Sequence, residues 1–285
     1  MKEKNLFIGP HPDDVFIACA GYILKNSAHV NSDIVCVATE SINPSKEIRM
    51  KEEQSAWSDL LKNNYELIFL EKFEDTRIHE RSNVLIQEIE GLVSEREYSK
   101  IFIPYYDDTH QDHRTVSQCA LSALRYQKNV IFYETPSSIN FNPTIYADIP
   151  EEVLNKKCSV IENYNSQIIG RKSSNEIRLS EYTYTKMISN GLKSRTCNYA
   201  EGFAPFKYFF WGLEMIVTIH QPEHFPYMGY FEKMKNADVF VILDNVKFKK
   251  NNWQNRNKFI NKQGNEEWFG VSIPKKSNSL LIKDV

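Results

Sequence analysis

Apolar and polar positions alternate along this chain in two rhythms. From residue 1 to about residue 134, short runs rich in β-branched and apolar residues predict strands. These cover Asn5 to Gly9, Asp33 to Thr39, Glu66 to Leu70, Lys100 to Pro104 and Val130 to Glu134. Between them, longer amphipathic stretches predict helices over Val15 to Ala28, Ser45 to Lys62, Ser82 to Arg96 and Gln111 to Tyr126. Strands alternating with helices imply βαβ units, so the expected fold is α/β: a Rossmann-like, mainly parallel sheet with helices on both faces. The next stretch, Ser138 to Ala147, is rich in Asn and Pro, and Asp148 to Glu152 reads as a strand end followed by a proline-started helix. Two further helical stretches are expected, Glu151 to Ile169 and Ser174 to Asn190, with Gly191 closing the second. The aromatic run Tyr208 to Trp211 reads as sheet or interface packing. A fresh apolar run, Met215 to Ile219, then restarts the pattern.

Chemistry concentrates just past two of the predicted strands. Gly9-Pro10-His11-Pro12-Asp13-Asp14 follows the first, and Asp107 to His113 follows the strand at Lys100 to Pro104. Ligands in open parallel sheets sit outside the carboxyl ends of the strands. Two acid-and-histidine clusters at equivalent strand ends can therefore share one crevice despite their separation in sequence. One carboxylate would suffice as a helix cap at Asp13 or Asp14; a His with two Asp asks for more. His11, Asp14 and His113 together offer two imidazoles and one carboxylate, which fits a divalent cation with positions open for water. Zinc is the expected ion, and the same set also serves Fe(II) or another divalent cation. Asp13 is then the spare carboxylate, placed to accept a proton from water attacking a carbonyl. His110 is placed to stabilise charge developing on the substrate, and Asp112 to orient a histidine.

Composition narrows the partners. With 35 Lys and Arg against 37 Asp and Glu, the formal charge of -2 lacks the basic excess of nucleic-acid binders. The five cysteines stand apart with no C-x-x-C pair, which suits a reducing compartment. No run reaches transmembrane length, and the N-terminal apolar run is too short for a signal peptide. The expectation is a cytoplasmic protein acting on a small molecule. The first turn lacks G-x-G-x-x-G, which argues against a dinucleotide-binding oxidoreductase.

His-Pro-Asp-Asp after the first strand and His-x-Asp-His after a later one resemble the PIG-L or LmbE-like deacetylases. These are metal-dependent amidases that remove acetyl from N-acetylglucosaminyl groups. The resemblance spans residues 4 to about 211. It extends to Arg49-x-x-Glu52, the Asp75 loop, Tyr133-Glu134-Thr135-Pro136-Ser137, Tyr164-x-Ser166-Gln167 and Tyr199-Ala200-Glu201-Gly202-Phe203. It implies His11, Asp14 and His113 as metal ligands, Asp13 as general base, and His110 as stabiliser of the tetrahedral intermediate. It further implies that Arg49 and Asp75 touch the sugar; by itself, Arg49 reads as a surface helix residue pairing with Glu52 or Glu53. The chain departs from the pattern at Val15, where the family usually has Glu, and at Gln111, where it usually has Pro. Neither departure removes a ligand.

From about residue 215, His220-Gln221-Pro222, Gly229-Tyr230-Phe231, Ala237-Asp238, Leu243-Asp244-Asn245-Val246 and Asn255-Arg256-Asn257-Lys258 resemble the opening of WbqC-like proteins, found with bacterial surface-glycan genes. His220, Asp244 and Arg256 are candidates for a polar site there, against a structural role for the histidine. The expected organisation is a deacetylase-like domain over 1–213 and a partial α/β unit over 214–285, truncated at its end. The expected reaction is hydrolysis of the acetamide of an N-acetylated amino sugar, free, nucleotide-linked or lipid-linked, in surface-glycan synthesis. The alternative is a catalytically weakened sugar-binding module serving the WbqC-like part, motivated by Val15.

Overall fold

A computed structural model describes residues 2–40, 45–167, 178–208, 217–237, 239–274 and 277–285. By its internal packing the chain divides into two units, Met1–Phe209 and Phe210–Val285.

The first unit is built on a seven-stranded sheet. Its strands are β1 (Glu3–Gly9), β2 (Val30–Glu40), β3 (Tyr65–Glu74), β4 (Lys100–Pro104), β5 (Val130–Tyr133), β6 (Ile145–Asp148) and β7 (Ala200–Lys207). They lie in the order β3-β2-β1-β4-β5-β7-β6. The first five are parallel, and β7 runs antiparallel between β5 and β6. The helices are α1 (Asp14–Asn26), α2 (Lys46–Leu60), α3 (Ser82–Glu95), α4 (Gln111–Ala123), α5 (Glu151–Val160) and α6 (Leu179–Ser194). The mixed α/β, mainly parallel architecture is the one the alternating pattern predicts.

Strand pleating explains why both faces are covered. Successive side chains point to opposite faces, so Phe7, Phe102, Ile131 and Tyr133 enter one apolar cluster with Phe16 of α1 and Trp57 of α2. Their neighbours Leu6, Ile8, Ile101, Ile103 and Phe132 enter another, with Leu85 and Ile89 of α3 and Val116 of α4. A parallel sheet buried on both sides needs such near-continuous apolar strands. The strand order reverses at β1, with β2 on one side and β4 on the other. The loops leaving β1 and β4 therefore open onto a shared crevice.

A buried ion pair ties α1 to the end of the unit. Lys157 on α5 is fully buried, and its Nζ lies 2.6 Å from Glu201 Oε1 on β7 and 2.7 Å from the carbonyl of Ile17. Glu201 also accepts the backbone N–H groups of Gly21 and Tyr22, at 2.8 and 2.7 Å. Glycine at 21 permits that approach, because a Cβ there would lie 2.8 Å from Glu201 Oε1.

The structure departs from the sequence reading in several places. Gly191 does not end a helix: α6 continues to Ser194 and closes on Arg195 at φ 58°. Its requirement for glycine is packing, since a Cβ would meet the Asn198 carbonyl oxygen at 2.1 Å. Helix α5 stops at Val160 and passes into a short 3-10 turn, Ile161–Asn163. Of the two antiparallel strands the sequence pattern marks only the end of β6, at Asp148, and it misses β7, where Glu201, Gly202 and Pro205 interrupt the apolar run. Residues 168–169 and 174–177 of the expected helices, Phe209 to Trp211, Met215, Ile216 and Asp238 lie outside the described residues. No helix among the described residues is long and apolar enough to cross a membrane.

The second unit contains a parallel pair, β8 (Val217–His220) and β9 (Val239–Ile242), a helix α7 (Met228–Lys235), and an antiparallel hairpin, β10 (Arg256–Ile260) and β11 (Glu266–Gly270).

Candidate metal and catalytic site

Chain turns, not long side chains, bring the site residues together. β1 ends at Gly9, and Pro10 passes its carbonyl to the N–H of Ala38 at 2.8 Å, which seats the His11 loop against β2. Asp13 then adopts φ 101°, a conformation that side chains other than glycine's rarely take. Its N–H donates to Glu53 Oε2 at 2.9 Å, and its carbonyl accepts the N–H of Ile17 at 2.8 Å as the first bond of α1. Although it sits at the N-cap position, its side chain makes no capping hydrogen bond. Asp14 instead reaches back, its Oδ2 accepting the N–H of His11 at 2.9 Å.

From the β4 loop, His110 caps α4 by accepting the N–H of Asp112 on its Nδ1 at 3.2 Å, and His113 follows on the first turn. His11 Nδ1 lies 3.3 Å and His113 Nε2 3.4 Å from the same oxygen, Asp14 Oδ2. The outward nitrogens of both rings meet carboxylates. His11 Nε2 is 3.1 Å from Asp112 Oδ2 and 3.2 Å from Asp75 Oδ1. His113 Nδ1 is 3.1 Å from Asp108 Oδ2 and within 3.2 Å of the Thr135 and Ser137 hydroxyls. A carboxylate outside the ring keeps a proton on the nitrogen facing it, so the opposite nitrogen presents a lone pair. The two lone pairs and the Asp14 oxygen thus converge, and donors of this kind suit a divalent cation.

Among the described residues, two groups of donor atoms lie mutually close enough to hold an ion: His11, His110 and His113, and His11, Asp75 and Asp112. Neither uses its atoms as economically. His110 Nδ1 is engaged by the Asp112 N–H, while Asp112 Oδ2 already accepts the N–H of Thr76 at 2.6 Å and faces the proton-bearing side of His11.

The electrostatics follow from this packing. Burial resists charge on His11, yet its bonds to Asp112, Asp14 and Asp75 outweigh that and hold its pKa well above the usual value. His113 behaves alike; burial is opposed by Asp14 and Asp108, and its pKa rises to about 9. Burial works against ionised Asp14, but the two histidines keep its carboxyl well below the ordinary range. Asp13 goes the other way: burial, then the charge of Asp14, push it up to about 7. Burial and the neighbouring His11 and His113 lower His110; separately, its Nδ1 accepts the Asp112 N–H, which leaves the ring proton on Nε2.

Arg49 is not a surface residue. It is 7 % exposed; its Nη2 donates to the Pro12 carbonyl at 3.0 Å and its Nη1 to Asp75 Oδ2 at 3.4 Å. It lies 3.8 Å from Asp13 Oδ1. Its expected helix partners are occupied elsewhere, Glu52 by Ser166 and Glu53 by Asp13, Trp57 and Tyr164. A cleft of about 430 Å³ is lined by His11, Asp13, Asp14, Arg49, Asp75, His110 and His113, with Pro136, Ser137, Gln167 and Leu179. The seven residues expected to bind the metal, catalyse or touch the sugar therefore line one cleft, and Asp112 lies behind His11. The reading had missed Glu53, which a helix sequence marks as surface, and Asp108, which nothing local distinguishes from Asp107. Val15 points into the apolar cluster behind the site.

Residues 6–124 match the family model described as GlcNAc-PI de-N-acetylase, and residues 221–285 match the WbqC-like protein family. An uncharacterised deacetylase of Escherichia coli strain K12, YaiS, is 29% identical over 173 residues, covering 58% of this chain and 92% of that protein. An uncharacterised protein of Mycobacterium tuberculosis, Rv1507c, is 35% identical over 57 residues, and the chain spans only 24% of its length. The fold is shared with the N,N'-diacetylchitobiose deacetylase of Pyrococcus horikoshii, at a TM-score of 0.58 and 22% identity over 74% of this chain and 86% of that one. The family match and the deacetylase relative support N-deacetylation as the chemistry of the first unit.

Proposed function

We propose that the first unit is a metal-dependent hydrolase that removes acetate from an N-acetylated amino sugar. One observation carries this reading: His11 Nδ1 and His113 Nε2 converge on Asp14 Oδ2, and a second carboxylate, Asp13, lies beside them in the same cleft.

His11, Asp14 and His113 would hold a divalent cation, with zinc expected; when bound, such an ion polarises a carbonyl and makes water a better nucleophile at neutral pH. The chain's own groups supply the remaining steps. Asp13, the second carboxylate in the cleft, accepts the proton of the water that adds to the acetamide carbon. His110 donates its Nε2 proton in a hydrogen bond to the oxygen on which negative charge develops, its Nδ1 being held by the Asp112 N–H. Asp13 then returns the proton to the nitrogen as the C–N bond breaks, releasing acetate and a free amine. Arg49 and Asp75, an ion pair lining the same cleft, would bind sugar hydroxyls.

The test is acetate release from free, nucleotide-linked and lipid-linked N-acetylglucosamine with zinc-loaded protein. Release from at least one carrier, lost in Asp13→Asn with metal content retained, is expected. No release from any of them overturns the reading.

A further inference from the structure

The second unit contains a cleft of its own, about 390 Å³, at the carboxyl ends of the parallel strands β8 and β9. It is lined by His220, Gln221, Glu223, Asn252, Trp253 and Gln254, with Ile219 and Leu243 beneath. We propose that this cleft binds a hexosamine bearing a free amino group, the product class of the deacetylation proposed above, on which this inference rests.

The inventory of the walls selects the ligand. None of the lining residues is Lys or Arg, so a phosphate or carboxylate ligand would enter without a counter-charge. The negative group is Glu223, whose side chain is 13% exposed and whose Oε1 lies 3.9 Å from His220 Nε2, beyond hydrogen-bond reach. An ammonium on the ligand would form a charge-assisted pair with that carboxylate, whereas an acetamide offers it only one neutral N–H. The carboxamides are arranged for hydroxyls. Gln254 is fixed at both ends, its Oε1 accepting the Lys249 N–H at 2.7 Å and its Nε2 donating to Gln221 Oε1 at 2.6 Å. This leaves the Gln221 amide N–H groups for the ligand. His220 donates Nδ1–H to the Gln221 carbonyl at 2.9 Å, which leaves a lone pair on Nε2. Trp253 is 46% exposed and offers an indole face to the C–H face of a sugar ring. One aromatic face, several fixed amides and one carboxylate form a site for a neutral polyol carrying a positive amine.

The other two residues proposed from the sequence do not line this cleft. Arg256 lies over the Trp268 ring at 4.1 Å, and the backbone carbonyl of Asp244 accepts the Lys283 N–H at 3.0 Å.

The experiment titrates the full chain, with its four tryptophan indoles labelled with 15N, against glucosamine, N-acetylglucosamine and glucose, Trp253→Phe identifying the Trp253 signal. Glucosamine should shift that signal saturably, and at least roughly tenfold more tightly than the other two. Glu223→Gln, nearly the same size, should reduce glucosamine to the level of glucose. An unmoved signal, equal shifts with all three sugars, or an affinity unchanged by Glu223→Gln would overturn the proposal. Acetate release followed on the same samples tests the first unit separately, so failure of either reading is seen apart from the other.

Discussion

Glu53 Oε2 accepts the backbone N–H of Asp13 at 2.9 Å, and Asp13 is the residue whose backbone is strained at φ 101°. A carboxylate on α2 thus holds the turn that presents the proposed general base. Glu53 also accepts Trp57 Nε1–H at 2.7 Å and the Tyr164 hydroxyl at 2.6 Å, so three donors share two oxygens. Glu53→Gln turns an N–H2 group toward at least one donor. The expected loss is about 1–3 kcal/mol in urea unfolding, with acetate release down about 100-fold as the turn relaxes. Unaltered turnover would show that the turn holds without it.

Asp13→Asn removes the base while keeping shape. The turnover number should fall about 10²- to 10⁴-fold, and metal content by elemental analysis should stay at the wild-type level. Loss of metal would instead make Asp13 a ligand.

Asp108 does not line the cleft, but it orients His113 through Nδ1 together with Thr135, whose hydroxyl donates to Asp108 Oδ2 at 2.6 Å. Asp108→Asn is expected to weaken metal affinity about 10- to 100-fold, measured by competition with a chromogenic chelator. Activity should recover when excess zinc is supplied, which a broken catalytic group would not allow.

Lys157→Met should destabilise the protein by about 3–5 kcal/mol, because it leaves the buried Glu201 carboxylate without its cation. The double variant Lys157→Met with Glu201→Gln should regain part of that loss. A double variant less stable than the single one would show that Glu201 is held mainly by the α1 backbone.

Chelation followed by gel filtration should abolish acetate release, and zinc should restore it. Activity that survives chelation, with metal shown to be absent, would contradict the proposed role of His11, Asp14 and His113.

The sequence by itself determined the architecture of the first unit and the identity of its reactive side chains. Near-continuous apolar runs between amphipathic stretches report burial directly, and His11 to Asp14 and His110 to His113 are adjacent in the chain, so their chemistry is legible as text. Tertiary structure alone decided which atoms meet. Only the strand order, with β1 beside β4, brings the two loops to one crevice; only the positions of Asp112 and Asp108 fix which nitrogen of each histidine offers a lone pair. Arg49 and Glu53 read as surface helix residues and are buried, because α2 lays that face against the Asp13 turn. Side-chain periodicity records how much of a residue is hidden from water, but the partner that hides it is set by contacts between segments far apart in the chain.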